Sequence, residues 1–174
     1  MTTTAVWAQS PNQGRVDLSL LSDAIGTTPK VNINFGPAMM AGFAETFRGQ
    51  NAELAQVLGS VAGLRLMVFE DVNLAPVADR ISDITRQLDQ SGWNRTVEVR
   101  DDESRVDVFM LETNEFVKGL VLLVQDDGDT AVFANIHGDL DPVFIGRLIG
   151  SGNLMNGVDF EALTRQFQGA AEDG

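Results

Sequence analysis

The chain has 174 residues, of which 44% are hydrophobic and 21% charged; that is enough for one domain with an adequate core and is not the composition of a disordered chain. Twelve Lys and Arg against twenty-five Asp and Glu give a net charge of −13, a surface that repels phosphate backbones and anionic lipid, so nucleic acid is excluded as a sequence-independent partner. There is no cysteine, no tyrosine and a single histidine, His137. That inventory removes disulfide scaffolds, thiolate metal sites, cysteine nucleophiles and every two-histidine metal motif, and it argues against an enzyme.

Residues 1–15, rich in Thr, Ser, Gln and Asn, read as a flexible lead. Ala8-Gln9-Ser10 resembles the small-residue end of a cleaved secretory signal, so the lead is also a candidate signal-peptide remnant, although no basic n-region or apolar h-region precedes it. No apolar run reaches the roughly 18–20 residues of a membrane span, and with no cysteine this chain offers no lipidation site of the lipoprotein kind. Val16–Ile25 can form a short helix or turn. Val31-Asn32-Ile33-Asn34-Phe35 alternates and predicts a strand with Val31, Ile33 and Phe35 inward. Pro37 opens a helix whose Met40, Phe43 and Phe47 share a face; with Met39 these could form an adaptable binding surface, but their spacing favours core packing. Asn51 is the expected N-cap of the next helix, with Leu54, Val57, Leu58 and Val61 as its stripe and Gly63 as its stop. Leu64–Glu70 is apolar on nearly both faces and predicts a central strand.

The strongest helical pattern runs from Leu74 to Gln90, with Pro76 in the first turn and Val77, Ile81, Ile84 and Leu88 on one face; Ser91-Gly92 ends it. Four strands follow: Arg95–Arg100, Arg105–Leu111, Lys118–Val124 and Thr130–His137. Asp126-Asp127-Gly128-Asp129 is the turn between the last two, and Gly138 is expected to break the final one. Asp141-Pro142 starts another helix with cap and first residue in preferred places. Residues 151–174 read as a linker and a C-terminal amphipathic helix carrying Phe160, Leu163 and Phe167. The expected fold is α+β, a mostly antiparallel sheet of five or six strands with helices packed on one face, in a single domain over residues 16–150.

Several of these segments carry a resemblance. Gly63–Glu70, then an amphipathic helix, then Gly92-Trp93-Asn94-Arg95, Val106–Met110, Lys118–Val124 and Ala134-Asn135-Ile136-His137-Gly138-Asp139-Leu140-Asp141 occur in an order that resembles the uncharacterised bacterial family domain of unknown function 4252 (DUF4252). The resemblance spans about residues 16–150. It implies an extracytoplasmic protein of the periplasm or cell envelope. It also implies an association with extracytoplasmic-function sigma factors and their anti-sigma partners, and it brings no catalytic residues to carry over.

Only carboxylates offer a constellation for chemistry. Asp126, Asp127 and Asp129 lie in one turn and could hold Ca²⁺, yet the turn is too compact for an EF-hand and lacks its bidentate Glu, so a solvated turn is expected. His137, Asp139 and Asp141 could form an acid–base pair or a metal site; Asp141 is better explained as a helix cap, and His137 as a histidine with a satisfied hydrogen bond. No G-x-S-x-G elbow or phosphate-binding glycine loop is present. The expected function is a non-catalytic envelope interaction or sensing domain with a protein partner, without cofactor. The alternative is a metal- or small-ligand-binding domain using the acidic hairpin and the His137–Asp141 turn.

Overall fold

In a computed structural model, residues 13–126 and 128–150 are described. The chain divides into two compact units at Asp141/Pro142, earlier than the expected boundary after residue 150. In the second unit the described residues form helix α5, Pro142–Gly150, so Pro142 occupies the first helical position as its sequence context predicts. The leading segment up to residue 12, Asp127 and the predicted helix within 151–174 lie outside the described residues.

The first unit carries one six-stranded sheet in the order β1-β2-β6-β5-β4-β3, every pair antiparallel. The strands are β1 Val31–Phe35, β2 Val61–Phe69, β3 Asn94–Arg100, β4 Ser104–Glu112, β5 Val117–Asp126 and β6 Thr130–Leu140. Around them lie α1 Ser19–Ile25, α2 Pro37–Phe47, α3 Ala52–Ser60 and α4 Ala78–Gln90, the last preceded by a 3-10 turn at Ala75–Val77. The α+β sandwich is as expected. The alternation that marks β1, β3 and β4 is the pleat itself, since successive side chains leave opposite faces; the continuous apolar runs of β2 and β5 belong to strands inside the sheet.

Register assigns those faces. Met67 pairs with Phe133 and Phe133 with Leu123, so these side chains share one face. With Phe69, Phe109, Val121 and Ala131 they form the core beneath Leu18 and Leu21 of the N-terminal stretch, Val77, Ile81, Ile84 and Leu88 of α4 and its approach, and Trp93. The periodicity of α4 is therefore the cause of its docking: its three-and-four spacing delivers one apolar stripe to one sheet face. An arrangement with helices on one face describes α1 and α4. On the opposite face the ring of Phe35, which pairs with Leu64, meets Phe43 of α2 edge-on at 5.2 Å between centroids.

Local signals explain most element ends. Asn51 caps α3 as expected, its Oδ1 accepting the Leu54 N–H at 3.0 Å. Gly26, in the left-handed region at φ 72°, closes α1. Gly128, at φ 74°, turns β5 into β6. Two glycine readings change. Gly63 stops no helix: α3 ends at Ser60, Val61 is already extended at φ −82° and ψ 119°, and β2 begins there. Nor does Gly138 break its strand, since β6 continues to Leu140. Both glycines are instead places where something approaches the backbone closely, as described next.

Candidate functional site

The segments that carry the family resemblance converge at one end of the sheet. Gly119 of β5, which pairs with His137 of β6, meets both Trp93 and the stretch at Gly14 there. A Cβ on Gly119 would come within 2.5 Å of the Trp93 ring and 2.7 Å of the Gly14 Cα. A Cβ on Gly14 would fall 1.8 Å from the Lys118 carbonyl oxygen. The turn at Gly14 thus lies backbone to backbone on β5, with the buried Trp93 ring against Gly119. Gly92, at φ 83°, is the bend that aims Trp93 inward after α4.

Asn135 fixes the segment in place. It is 1% exposed. Its Oδ1 accepts the Val16 N–H at 2.9 Å, and its Nδ2 donates to the carbonyls of Gly14 at 3.0 Å and Leu120 at 3.1 Å. A buried amide fully used in this way is a latch between the first described turn and the centre of the sheet. Sequence reading missed it, although its signal was present: alternation places Asn135 on the same face as Phe133, where a polar residue needs a partner.

His137 is next on that face. Its ring lies on Gly63, where a Cβ would be 2.4 Å from the histidine Cε1. Its Nδ1 is buried and has no hydrogen-bond partner among the described residues, so a satisfied ring is not what this side chain has. Burial, and secondarily the charge of Arg15, lowers its pKa below the ordinary 6.5. Nearby, Asp17 accepts the Ser19 N–H at 2.9 Å; hydrogen bonding to Ser19 lowers its pKa from 3.8.

The other candidate carboxylates are placed apart. Asp139 forms an ion pair with Lys118, not with His137. Asp141 directly precedes α5. Asp126 and Asp129 flank the β5–β6 turn at the far end of β6, about 25 Å of strand from His137 at roughly 3.3 Å per residue. The structure therefore separates the acidic hairpin from the His137–Asp141 segment. Among the described residues, no group of three or more His, Asp or Glu side chains is disposed to hold a metal ion.

Beside the convergence lies a cleft of about 420 Å³. Its walls are Pro37 and Ala41 of α2, the α3–β2 junction Gly59–Ala62, Lys118, and Gly138-Asp139. Gly138 lets the junction approach: a Cβ there would sit 2.2 Å from the Ser60 oxygen and 2.8 Å from the Ala62 nitrogen, and its φ is 153°. The pairing of β2 with β6 shifts register between Val61 and Gly63 at this point. The walls are consequently mostly small side chains and glycines, with the Lys118–Asp139 ion pair at one side.

A second feature that sequence reading missed is Asp107, 3% exposed on the core face of β4. Arg100 bonds it at 2.8 Å and Arg95 approaches at 3.7 Å, while the Arg95 guanidinium stands 5.0 Å over the Phe109 ring. Alternation places it with Arg105 and Phe109, opposite Val106, Val108 and Met110, so the sequence does not mark it as buried; its cationic partners come from the neighbouring strand.

Among the described residues, no helix is long and apolar enough to cross a membrane. No curated protein and no solved structure matches the chain. The family described as Domain of unknown function (DUF4252) matches residues 27–148, a stretch that includes Gly63, Trp93, Gly119, Asn135 and Gly138, and the chain belongs to that family.

Proposed function

We propose that the chain is a non-catalytic interaction module of the bacterial cell envelope that holds a protein partner at the cleft beside Lys118 and Gly138. The observation that carries this reading is the character of the cleft. Small side chains and glycines line most of it, beside the Lys118–Asp139 pair, a surface suited to an extended segment. At its rim Asp139 is held in an ion pair with Lys118, and the His137 ring packs on Gly63 without lining the cleft. The net charge of −13 favours a basic partner. Extracytoplasmic location, and a role in envelope sensing linked to sigma and anti-sigma factors, rest on what the family resemblance implies.

A photo-crosslinking residue at Ala41 tests the reading in intact cells. Adducts with one envelope protein, lost when Gly59→Arg fills the cleft, are the expected result. Equal adducts from Thr96 on the far edge of the sheet, or none from Ala41, would overturn it. Fractionation of the same cells checks the location: the chain is expected with the envelope.

A further inference from the structure

The two edges of the sheet are finished differently. On β3, Arg95, Glu98 and Arg100 are tied together by ion pairs, and the pairing of β3 with β4 shifts register between Arg95 and Val97. Charges and bulges are the ordinary means of keeping an edge strand from pairing with another chain. β1 has neither. Its register with β2 runs unbroken from Val31 to Phe35, and Val31-Asn32-Ile33-Asn34-Phe35 contains no charge, proline or glycine. Among the described residues, no strand lies beyond it.

The chemistry of β1 also reads the same in both directions: apolar, amide, apolar, amide, apolar. A two-fold interface places a surface against itself, so that surface must be its own complement. Antiparallel pairing centred on Ile33 sets Val31 against Phe35 of a second copy, Asn32 against Asn34, and Ile33 against Ile33. The apolar side chains then all lie on the face of Leu64, Leu66 and Val68, which pair with Phe35, Ile33 and Val31 within one chain, and the amides lie together on the other. Lys30 comes opposite Gly36, so no charged residues of the paired strands face each other in this register; the nearest charge is Arg65 of β2, whose guanidinium donates to the Asn32 Oδ1 at 2.5 Å on the amide face. From this we infer that β1 is a self-pairing edge: two copies of the chain join β1 to β1, antiparallel about an axis through Ile33, into one continuous sheet. This goes beyond the cleft reading and does not depend on it.

Five residues of pairing make a small interface, so the dimer is expected in the range of roughly 10–100 µM. Sedimentation equilibrium of the full chain should show it. Asn32→Glu with Asn34→Glu sets carboxylates against carboxylates across the axis and should weaken dimerisation roughly tenfold or more. Asn32→Glu with Asn34→Lys restores opposite charges in the same register and should recover it. The natural absence of cysteine gives an independent readout. Ile33→Cys places two sulfurs across the axis with Cα atoms about 4.5–5.5 Å apart, within disulfide range. Mild oxidation should therefore yield a covalent dimer from Ile33→Cys and a monomer from Thr96→Cys on the opposite edge. A wild-type chain that stays monomeric up to about 1 mM, a dimer indifferent to the paired glutamates, or an Ile33→Cys chain that does not cross-link faster than Thr96→Cys would each overturn the inference.

Discussion

At the end of the sheet where Gly14, Gly119 and Gly138 lie, backbone rests on backbone and a single methyl group has nowhere to go; at the other end, where Gly128 turns β5 into β6, an added Cβ would meet nothing within 4 Å. The first end contains one ion pair, Lys118 with Asp139, and a fully bonded amide at Asn135. The second carries Glu70, Asp71, Asp101, Asp102, Glu103, Asp126 and Asp129, among which only Asp71 has a strained backbone, at φ 56°. The lesson is that density of charge is a poor guide to where this molecule is specified. Apart from the buried Asp107, the carboxylates gathered at this end sit where substitution is cheap. The residues that fix the geometry are glycines and one asparagine.

The largest effect should come from Gly138→Ala. It combines an unfavourable φ with a Cβ 2.2 Å from a backbone oxygen, and urea unfolding should register a loss of about 3–5 kcal/mol. Gly128→Ala has a positive φ but open space, and should cost only about 1 kcal/mol. Comparable losses from the two would erase the contrast between the ends.

Asn135→Ala comes next. It strands the Val16 N–H and the Gly14 and Leu120 carbonyls, which the side chain now serves, for an expected loss of about 2–4 kcal/mol. Hydrogen exchange at the Val16 amide should accelerate more than exchange in β3 and β4. Uniform acceleration would mean that the amide serves general stability and does not act as a latch.

His137 gives a smaller, pH-dependent effect. Burial holds its folded pKa below the 6.5 of the free side chain, so the unfolded chain takes up the proton first. The contribution is fully present above pH 6.5 and is lost as the pH falls through and below that value. Thermal melts between pH 7.5 and pH 5 should show this decline, and His137→Phe, which keeps a ring over Gly63, should flatten that part of it. An unchanged slope would assign the decline to other groups. Asp17 acts in the same direction but at lower pH, since its folded pKa lies below 3.8: its contribution is present above that value and is lost below it.

The smallest change is expected at the acidic end. Asp101→Asn with Asp102→Asn should alter stability by no more than about 0.5 kcal/mol, and millimolar Ca²⁺ or Mg²⁺ should leave the midpoint of the wild-type chain in place, because a cation bound only by the folded state would raise it. A clear rise that these substitutions abolish would return the acidic loops to consideration as a site.

Local pattern made much of this legible. Alternation located β1, β3, β4 and β6, continuous apolar runs located β2 and β5, three-and-four spacing located α4, and Asn51 announced its cap, because each of these signals is enforced by neighbours in sequence. Gly63 and Gly138 were misread for a physical reason. A glycine that ends a helix or strand and a glycine that admits a neighbour look alike until the neighbour is known, and here the neighbours are His137 and Ser60, from other elements. The same holds for Asp107 and Asn135. Alternation groups each with one aromatic neighbour, Phe109 or Phe133, but only the folded structure supplies Arg95 and Arg100 to the one and Gly14 and Val16 to the other.

The latch at Asn135 has a consequence for how the chain comes to be made. Val16 and its acceptor are 119 positions apart, and the last strand, β6, inserts between β2 and β5 at the middle of the sheet. Leu18 and Leu21 leave the ribosome early yet find their cover only when almost the whole polypeptide has emerged. Until then the growing chain presents greasy side chains without shelter, a state in which a holding chaperone would bind and from which final closure would be slow.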